Sequence, residues 1–135
     1  MRKLILIATI AFLFVSCSIN DNNPPNFSLE IMPIESVEIP SEFELGETYE
    51  ISMSYTRPNG CYEFNDFIYQ PEGNTRTVAI VDTVYLDEQC TQAIEEATVS
   101  FDFFVTSSET YIFRFYQGEE EGEDQYLIIE VPVVE

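Results

Sequence analysis

Histidine and tryptophan are absent from this sequence, and basic residues are scarce: five lysines and arginines stand against 25 acidic residues. Without histidine the chain contains neither a Ser–His–Asp triad nor a histidine-ligated zinc site. The net charge of −20 repels nucleic acid and anionic lipid headgroups. Carboxylate-pair chemistry remains open, but acidic residues are so numerous that no particular pair stands out. We therefore predict a protein that is not an enzyme, needs no cofactor and binds no nucleic acid.

Cysteine is also rare, and the first of the three cysteines lies where the sequence changes character. Met1 to Lys3 give a basic start, and the run from Leu4 to Val15 is almost entirely apolar. That order is typical of a secretory signal peptide. The run is shorter than the roughly 20 apolar residues that a transmembrane helix needs. The sequence therefore predicts a cleaved signal peptide over residues 1–16.

The residues around Cys17 resemble the lipobox of bacterial lipoproteins. In that motif an apolar residue, a small or β-branched residue and a Gly, Ala or Ser precede an invariant cysteine; here these are Phe14, Val15, Ser16 and Cys17. The resemblance implies that the thiol of Cys17 carries diacylglycerol and that its amine, freed by cleavage, carries a third acyl chain. Several chains together make a stable membrane anchor. The alternative is an ordinary signal peptide that leaves Cys17 as a free thiol.

Polar residues follow this cysteine. The stretch SINDNNPPN, residues 18–26, is rich in Asn, Asp and Pro and has little apolar surface to bury. We therefore predict that residues 17–27 form a lipidated cysteine with a flexible tether. In the lipoprotein family an Asp directly after the cysteine retains the protein in the inner membrane. Here Ser18 occupies that position. The resemblance thus implies an outer-membrane protein whose domain faces either the periplasm or the exterior.

A side-chain period of two dominates residues 28–135. In TYEISMSY, for example, one face carries Tyr49, Ile51, Met53 and Tyr55. This period is typical of half-buried antiparallel strands, and helical spacing is sustained nowhere in these residues. The sequence predicts one all-β domain, a two-sheet antiparallel sandwich of seven or eight strands. The expected strands are 34–39, 48–55, 61–69, 75–85, 97–105, 110–116 and 126–134, with 28–32 as an eighth.

The strand pattern resembles that of immunoglobulin-like and fibronectin type III sandwiches. Its most specific local feature is ETYIFRF, in which Tyr111 opens the penultimate strand after the polar corner at 106–109. The resemblance implies that the hydroxyl of Tyr111 bonds to backbone a few residues upstream. The core tryptophan and the inter-sheet cysteine spacing of antibody domains have no counterpart here, so the resemblance is to the sandwich alone.

Cys61 and Cys90 are the two cysteines within the domain. An exported compartment oxidises thiols, and an even pair is expected to bridge there. If consecutive strands run antiparallel, the loops 57–60, 86–96 and 117–125 emerge at one end of the sandwich. Cys61 and Cys90 then lie at the same end, and we predict a disulfide between them.

The segment GEEEGEDQ, residues 118–125, carries five acidic residues: Glu119, Glu120, Glu121, Glu123 and Asp124. Calcium ions bind roughly six to eight oxygen atoms, and a carboxylate-dense loop supplies several. The spacing matches no EF-hand, and a solvated hairpin tip is the simpler interpretation. We predict no definite metal site and keep a calcium-responsive structural module as an alternative function.

The segment CYEFNDFIY, residues 61–69, holds four aromatic residues: Tyr62, Phe64, Phe67 and Tyr69. In a regular strand the first two share one face and the last two share the other, so one pair is exposed. An exposed pair suits a carbohydrate-binding module. A bulge near Asn65 would instead turn both pairs into the core.

Together these features predict a non-catalytic cell-envelope lipoprotein whose sandwich is an interaction or accessory module. Its membrane contact is the lipid anchor, and its further partner is a protein or a glycan. The three loops at one end, 57–60, 86–96 and 118–125, are the expected contact site, because loops grouped on a rigid sandwich commonly bind. The acidic third loop favours a cationic partner.

Overall fold

A computed structural model describes residues 26–135, and these residues form ten strands. In chain order they are β1 (Phe27–Met32), β2 (Ser36–Glu38), β3 (Phe43–Glu44), β4 (Thr48–Arg57), β5 (Tyr62–Glu72), β6 (Thr75–Tyr85), β7 (Glu95–Phe104), β8 (Tyr111–Glu120), β9 (Glu123–Val131) and β10 (Val133–Val134). Within this range no helix has the length and apolarity to cross a membrane.

Strand β6 is the centre of the larger sheet. Strand β5 pairs with one edge of β6 in an antiparallel hairpin whose turn is Gly73-Asn74. The other edge has two partners, because β1 pairs antiparallel with residues 80–85 and β8 pairs in parallel with residues 75–78. Strand β9 then pairs antiparallel with β8. Strand β6 therefore joins segments from the beginning, middle and end of the domain.

The smaller sheet has the order β2–β4–β7 and is antiparallel throughout. Strands β3 and β10 form a short parallel ribbon. Side chains of both sheets pack into one core, so the fold is the all-β sandwich that the alternation predicts. The pairings β6–β8 and β3–β10 are parallel, whereas we expected only antiparallel neighbours. Side chains alternate in both arrangements, so the sequence pattern does not report strand direction.

Aromatic rings join the two sheets in the core. The ring centroids of Phe103 in the smaller sheet and Phe113 in the larger sheet lie 5.2 Å apart, edge to face. Phe43 lies against both rings, at 5.5 Å and 6.1 Å. Such pairs contribute about 0.5 to 1.5 kcal/mol each beyond the burial of their area. The core therefore combines close apolar packing with ring geometry that specifies how the sheets align.

A bulge in β5 decides where its aromatic side chains point. The pairing of β5 with β6 shifts between Phe64 and Asp66, which leaves Asn65 as an extra residue. Phe64 lies opposite Asp82, and Phe67 lies opposite Ile80. Ile80 and Asp82 of β6 both face the core. The bulge therefore turns Phe64, which precedes it, and Phe67, which follows it, to the same inner face.

All four aromatic residues of β5 consequently lie on the core side. Tyr62, Phe64 and Phe67 pack against the buried cluster. Tyr69 lies farther along the strand, and its ring centroid is 5.9 Å from that of Phe101 in the smaller sheet. The outward-facing aromatic pair expected for a regular strand is therefore not formed.

The two outer faces of the sandwich differ in chemistry. The larger sheet presents mainly apolar and aromatic side chains that are exposed or half-buried: Leu29, Ile31, Ile68, Val81, Tyr116, Tyr126 and Ile128. The smaller sheet exposes hydroxyls and carboxylates: Ser36, Glu38, Glu50, Ser52, Ser54, Thr98, Ser100 and Asp102. The molecule thus has an apolar side and a polar, acidic side.

Tyr111 forms the corner that the sandwich resemblance implies. Its ring is fully buried, and its hydroxyl accepts hydrogen bonds from the backbone N–H groups of Thr106 at 3.2 Å and Ser107 at 3.0 Å. Burial alone would raise the pKa of Tyr111, but the bonds from Thr106 and Ser107 outweigh it and lower the pKa. The implied bond to upstream backbone is confirmed, and it fixes the loop that enters β8.

Candidate functional site

The predicted disulfide between Cys61 and Cys90 is confirmed, with a Cα–Cα distance of 5.3 Å. It joins the loop after β4 to the loop after β6 at one end of the sandwich. The N–H of Gly60 also donates to the carbonyl of Thr91 at 2.9 Å, and a side chain at position 60 would collide with the Thr91 hydroxyl. The two loops are therefore held together by covalent and backbone bonds.

Near this end a carboxylate lies inside the sandwich. Asp82 of β6 is 0% exposed, and its Oδ1 accepts a hydrogen bond of 2.7 Å from the Tyr55 hydroxyl. Arg57 donates to that same hydroxyl oxygen through Nε at 3.1 Å and Nη2 at 2.8 Å. The Nε of Arg57 also lies 3.5 Å from Oδ2 of Asp82, an atom that has no hydrogen bond. These three residues form a buried polar cluster that spans both sheets.

The electrostatics of this cluster follow from its burial. Burial raises the pKa of Asp82, while the Tyr55 hydrogen bond and the Arg57 charge partly oppose the rise. Burial and the nearby carboxylate raise the pKa of Tyr55 to about 12. Arg57, 21% exposed, is the one cation in contact with this carboxylate among residues 26–135. The cluster therefore links the two sheets through one ion pair, and we assign it a role in stabilising the fold.

Sequence reasoning did not identify this cluster, although a signal was present. In TVAIVDTVY the residues Val78, Ile80 and Asp82 share one face, so the period that predicts the strand also places a carboxylate in the core. A buried charge requires a partner. What the sequence does not supply is the partner, because Tyr55 and Arg57 come from a strand in the other sheet.

The acidic segment is a hairpin tip, as the simpler interpretation predicts, and its loop is shorter than the expected 117–125. Strand β8 continues to Glu120 and β9 begins at Glu123, so only Glu121 and Gly122 form the turn. Both turn residues have positive φ, 52° and 81°, which is typical of a type I′ turn. The hairpin packs beside Pro33 and Ile34, since Gln117 Nε2 donates to the carbonyl of Ile34 at 3.2 Å.

The hairpin register spreads the five carboxylates. Glu119 lies opposite Asp124 and Glu120 opposite Glu123, so successive pairs point to opposite faces. In the described part of the chain no three acidic, cysteine or histidine side chains come together in a group that holds a metal ion. The geometry therefore gives the calcium-responsive alternative no support.

Replacing Glu121 with asparagine should stabilise the protein by about 0.5 to 1 kcal/mol, because asparagine adopts positive φ at lower cost than glutamate. Urea unfolding of both proteins checks this. Glu123→Asn is the matched control, since it makes the same charge change on the adjacent strand, where asparagine has no such advantage. Equal or lower stability of the Glu121→Asn protein would contradict the role assigned to the turn.

A groove of about 390 Å³ lies between β5 of the larger sheet and β7 of the smaller sheet. Its aromatic wall is formed by Phe67, Tyr69, Phe101, Phe103 and Phe104, and its polar lining by Asp66, Arg76 and Asp102. Tyr69 and Phe104 are 41% and 56% exposed. The sequence signal for this groove is the pair Phe103-Phe104, since adjacent residues of a strand face opposite ways and one ring must leave the core.

Of the three loops expected to group at one end, the structure joins 57–60 and 86–96 through the disulfide. The hydrogen bonds of the third segment, 118–125, lie within its own hairpin, and Gln117 just before it donates to the carbonyl of Ile34. Cys17, the signal peptide and most of the tether lie outside the described residues. Strand β1 begins at Phe27, one residue before the domain start that we predicted.

Comparison with known families gives one match. A family model described as the ORF11 beta-sandwich domain matches residues 40–126. The matched region runs from just before β3 into β9 and leaves β1, β2 and β10 outside. No curated protein matches the chain, and no solved structure matches it either.

Proposed function

The chain belongs to the ORF11 beta-sandwich domain family, and from this premise we propose that its sandwich is the folded module of a lipid-anchored protein of the bacterial cell envelope. The module is non-catalytic and binds a partner. The anchor is Cys17, the tether spans residues 18–26, and the outer membrane is the proposed location.

The observation that carries this proposal is the order of segments along the chain. A basic and apolar leader ends at Cys17, a short polar stretch follows, and the first strand begins at Phe27. The tether spans at most about 3.5 Å per residue, so it holds the sandwich close to its anchor. The disulfide between Cys61 and Cys90 supports an oxidising compartment, which the bacterial envelope provides.

The exposed surface supports a role in binding. The larger sheet exposes aliphatic side chains on its outer face, with Leu29 58% and Ile128 59% exposed. The groove beside Tyr69 and Phe104 adds exposed aromatic rings. Apolar patches of this kind commonly mark interaction sites. The partner that we propose is a protein, and its chemistry is argued below.

Replacing Cys17 with alanine should abolish membrane attachment. The wild-type protein should partition into detergent and carry the mass of acyl chains with residues 1–16 removed. The variant should remain in the aqueous phase without acyl mass, because it lacks the thiol that is modified. Phase partitioning and intact mass spectrometry measure both properties.

Ser18→Ala is the matched control, since it changes the neighbouring residue and keeps the thiol. It should partition like the wild type. A wild-type protein that stays in the aqueous phase and has no acyl mass would refute the proposed anchor.

A further inference from the structure

Strand β7 is a long and regular strand at the edge of the smaller sheet. Its ten residues pair with β4 without a break in register, and none of them is Pro or Gly. Its other edge pairs with no strand among residues 26–135. A long edge with free backbone groups is a template for a further strand.

The facing edge strand, β5, is protected in two ways that β7 is not. The bulge at Asn65 interrupts its backbone geometry, and Pro71 removes one N–H group. Bulges and prolines are the usual means by which edge strands avoid pairing with other chains. The difference between the two strands directs strand addition to β7.

The hydrogen-bonding direction of β7 follows from its last bond. Val105 donates its N–H to the carbonyl of Glu47 at 3.0 Å, on the β4 side. N–H groups alternate in direction along a strand, so those of Phe103 and Phe101 also point to β4. Those of Ser100 and Asp102 therefore point away from β4, to the free edge.

The side chains beside this edge define what an added strand must carry. The groove opens along this edge, and on its inner side Phe67, Tyr69 and Phe101 would receive apolar side chains. On the outer side Asp102 lies directly opposite Glu50, and both are exposed. Like charges directly opposite each other in a sheet are unfavourable, and a cation beside them relieves the repulsion. Successive side chains of a strand point to opposite sides, so both requirements are met by alternation.

We infer that β7 binds an extended segment of a protein partner in which apolar and basic residues alternate. The segment adds as a strand to the free edge of β7, with its apolar side chains in the groove and its basic side chains on the outer side, beside Asp102 and one strand away from Glu50. This inference rests on the proposed function as an interaction module and names the site and the chemistry of the partner.

The same geometry disfavours the other occupants. A second copy of this chain that paired through β7 would bring its own Glu96 and Asp102 to an acidic edge, so like charges would meet. A glycan would use the aromatic groove but would have no need of the row of backbone donors. An alternating basic strand uses the groove, the donors and the carboxylates together.

The test exploits the absence of tryptophan from the chain. A ten-residue peptide of alternating Lys and Val, with a central Val replaced by Trp, is titrated with the full mature protein in non-ionic detergent. Trp emission should shift to shorter wavelength as the ring enters the groove. Detergent alone is the blank. A peptide with Glu in place of Lys and a scrambled peptide without alternation should bind at least about tenfold more weakly.

Two variants test the two parts of the site. Ser100→Pro removes one outward N–H and blocks the edge, and it should weaken binding about tenfold or more. Glu50→Gln with Asp102→Asn should weaken binding about fivefold and reduce its salt dependence. Glu35→Gln with Glu130→Gln makes the same change of charge beside β2 and in β9, at the opposite edges of the two sheets, and should leave binding unchanged. Thermal melts establish that each variant is folded.

Equal binding of the Lys and Glu peptides, or a charge variant that binds like the wild type, would overturn the inference. Binding of neutral oligosaccharide but not peptide would assign the groove to a glycan and would also overturn it. Detergent partitioning of the same samples separates this result from the proposed anchor. A protein that partitions into detergent but binds no peptide would refute only the inference about β7. A protein that binds the peptide but carries no acyl mass would refute only the proposed anchor.

Discussion

Replacing Arg57 with methionine should lower the free energy of unfolding by about 2 to 3 kcal/mol at pH 7. Removing one member of a buried ion pair leaves the other charge without compensation, which costs about 3 to 5 kcal/mol when both are fully buried. Arg57 is 21% exposed, so we expect a somewhat smaller effect. Asp82, which is 0% exposed, would keep only the Tyr55 hydroxyl as a partner. Urea unfolding measures the loss.

The loss should shrink as the pH falls from 7 toward 5. Burial raises the pKa of Asp82 in the folded protein. The contribution of Asp82 to the free energy of unfolding is therefore favourable at low pH, where the carboxyl is protonated, and is lost as the pH rises through the folded-state pKa. Without Arg57 the pKa rises further, and the penalty for ionising Asp82 at pH 7 grows. Protonation removes the penalty in both proteins. A difference in stability that is constant between pH 5 and 7 would contradict this account.

Arg114→Met is the matched control for that experiment. The Arg114 guanidinium lies 4.1 Å from the ring centroid of Tyr126 on the outer face, and it contacts no buried carboxylate. The same substitution there should cost less than about 1 kcal/mol, without the pH dependence. The double variant Arg57→Met with Asp82→Asn should recover part of the loss, because neither charge of the pair remains.

Removing the disulfide should have an effect of similar or greater size. The bridge closes a loop with a sequence separation of 29 residues. In the chain-entropy model such a loop stabilises the folded state by roughly 3 to 4 kcal/mol. The double variant Cys61→Ser with Cys90→Ser should therefore melt on the order of 15 °C below the wild type. Calorimetry measures the shift.

Reductant provides the internal control for the disulfide. Dithiothreitol should lower the melting temperature of the wild type toward that of the double variant and leave the variant itself unchanged. Thiol labelling of the denatured, unreduced mature protein should find neither Cys61 nor Cys90 free. Full labelling of both, or a wild type insensitive to reductant, would contradict the stabilising role of the bridge.

The alternation of side chains was sufficient to predict most of the fold. The expected strand 75–85 matches β6 residue for residue, and 48–55 lies within β4. The disulfide followed from the even count of cysteines and from counting strand directions, and Tyr111 from a corner that has a local signature. These predictions succeed because each depends on residues that are near in sequence, on the alternation of side chains along a strand, or on an even number of cysteines.

The features that the sequence did not predict depend on contacts that the alternation of side chains does not encode. The parallel pairing of β6 with β8 leaves no trace in a period of two. The bulge at Asn65 reverses the facing of every later residue in β5, and a single sequence offers two consistent positions for the aromatics. The groove and the polar cluster each need side chains from both sheets, so neither is visible until the sheets are placed together.

The three-way pairing of β6 also limits the order in which the larger sheet can form. During synthesis a chain emerges with its N-terminus first, yet β1 has no partner in this sheet until residues 80–85 have followed it. Within the larger sheet, the first pair that is complete along the chain is the β5–β6 hairpin, whose two-residue turn makes a short loop that is cheap to close. The other edge of β6 then pairs with β1 through residues 80–85 and with β8 through residues 75–78, and β9 pairs with β8. We therefore expect the larger sheet to form outward from the middle of the chain, and we expect its pairings between distant segments to be slow.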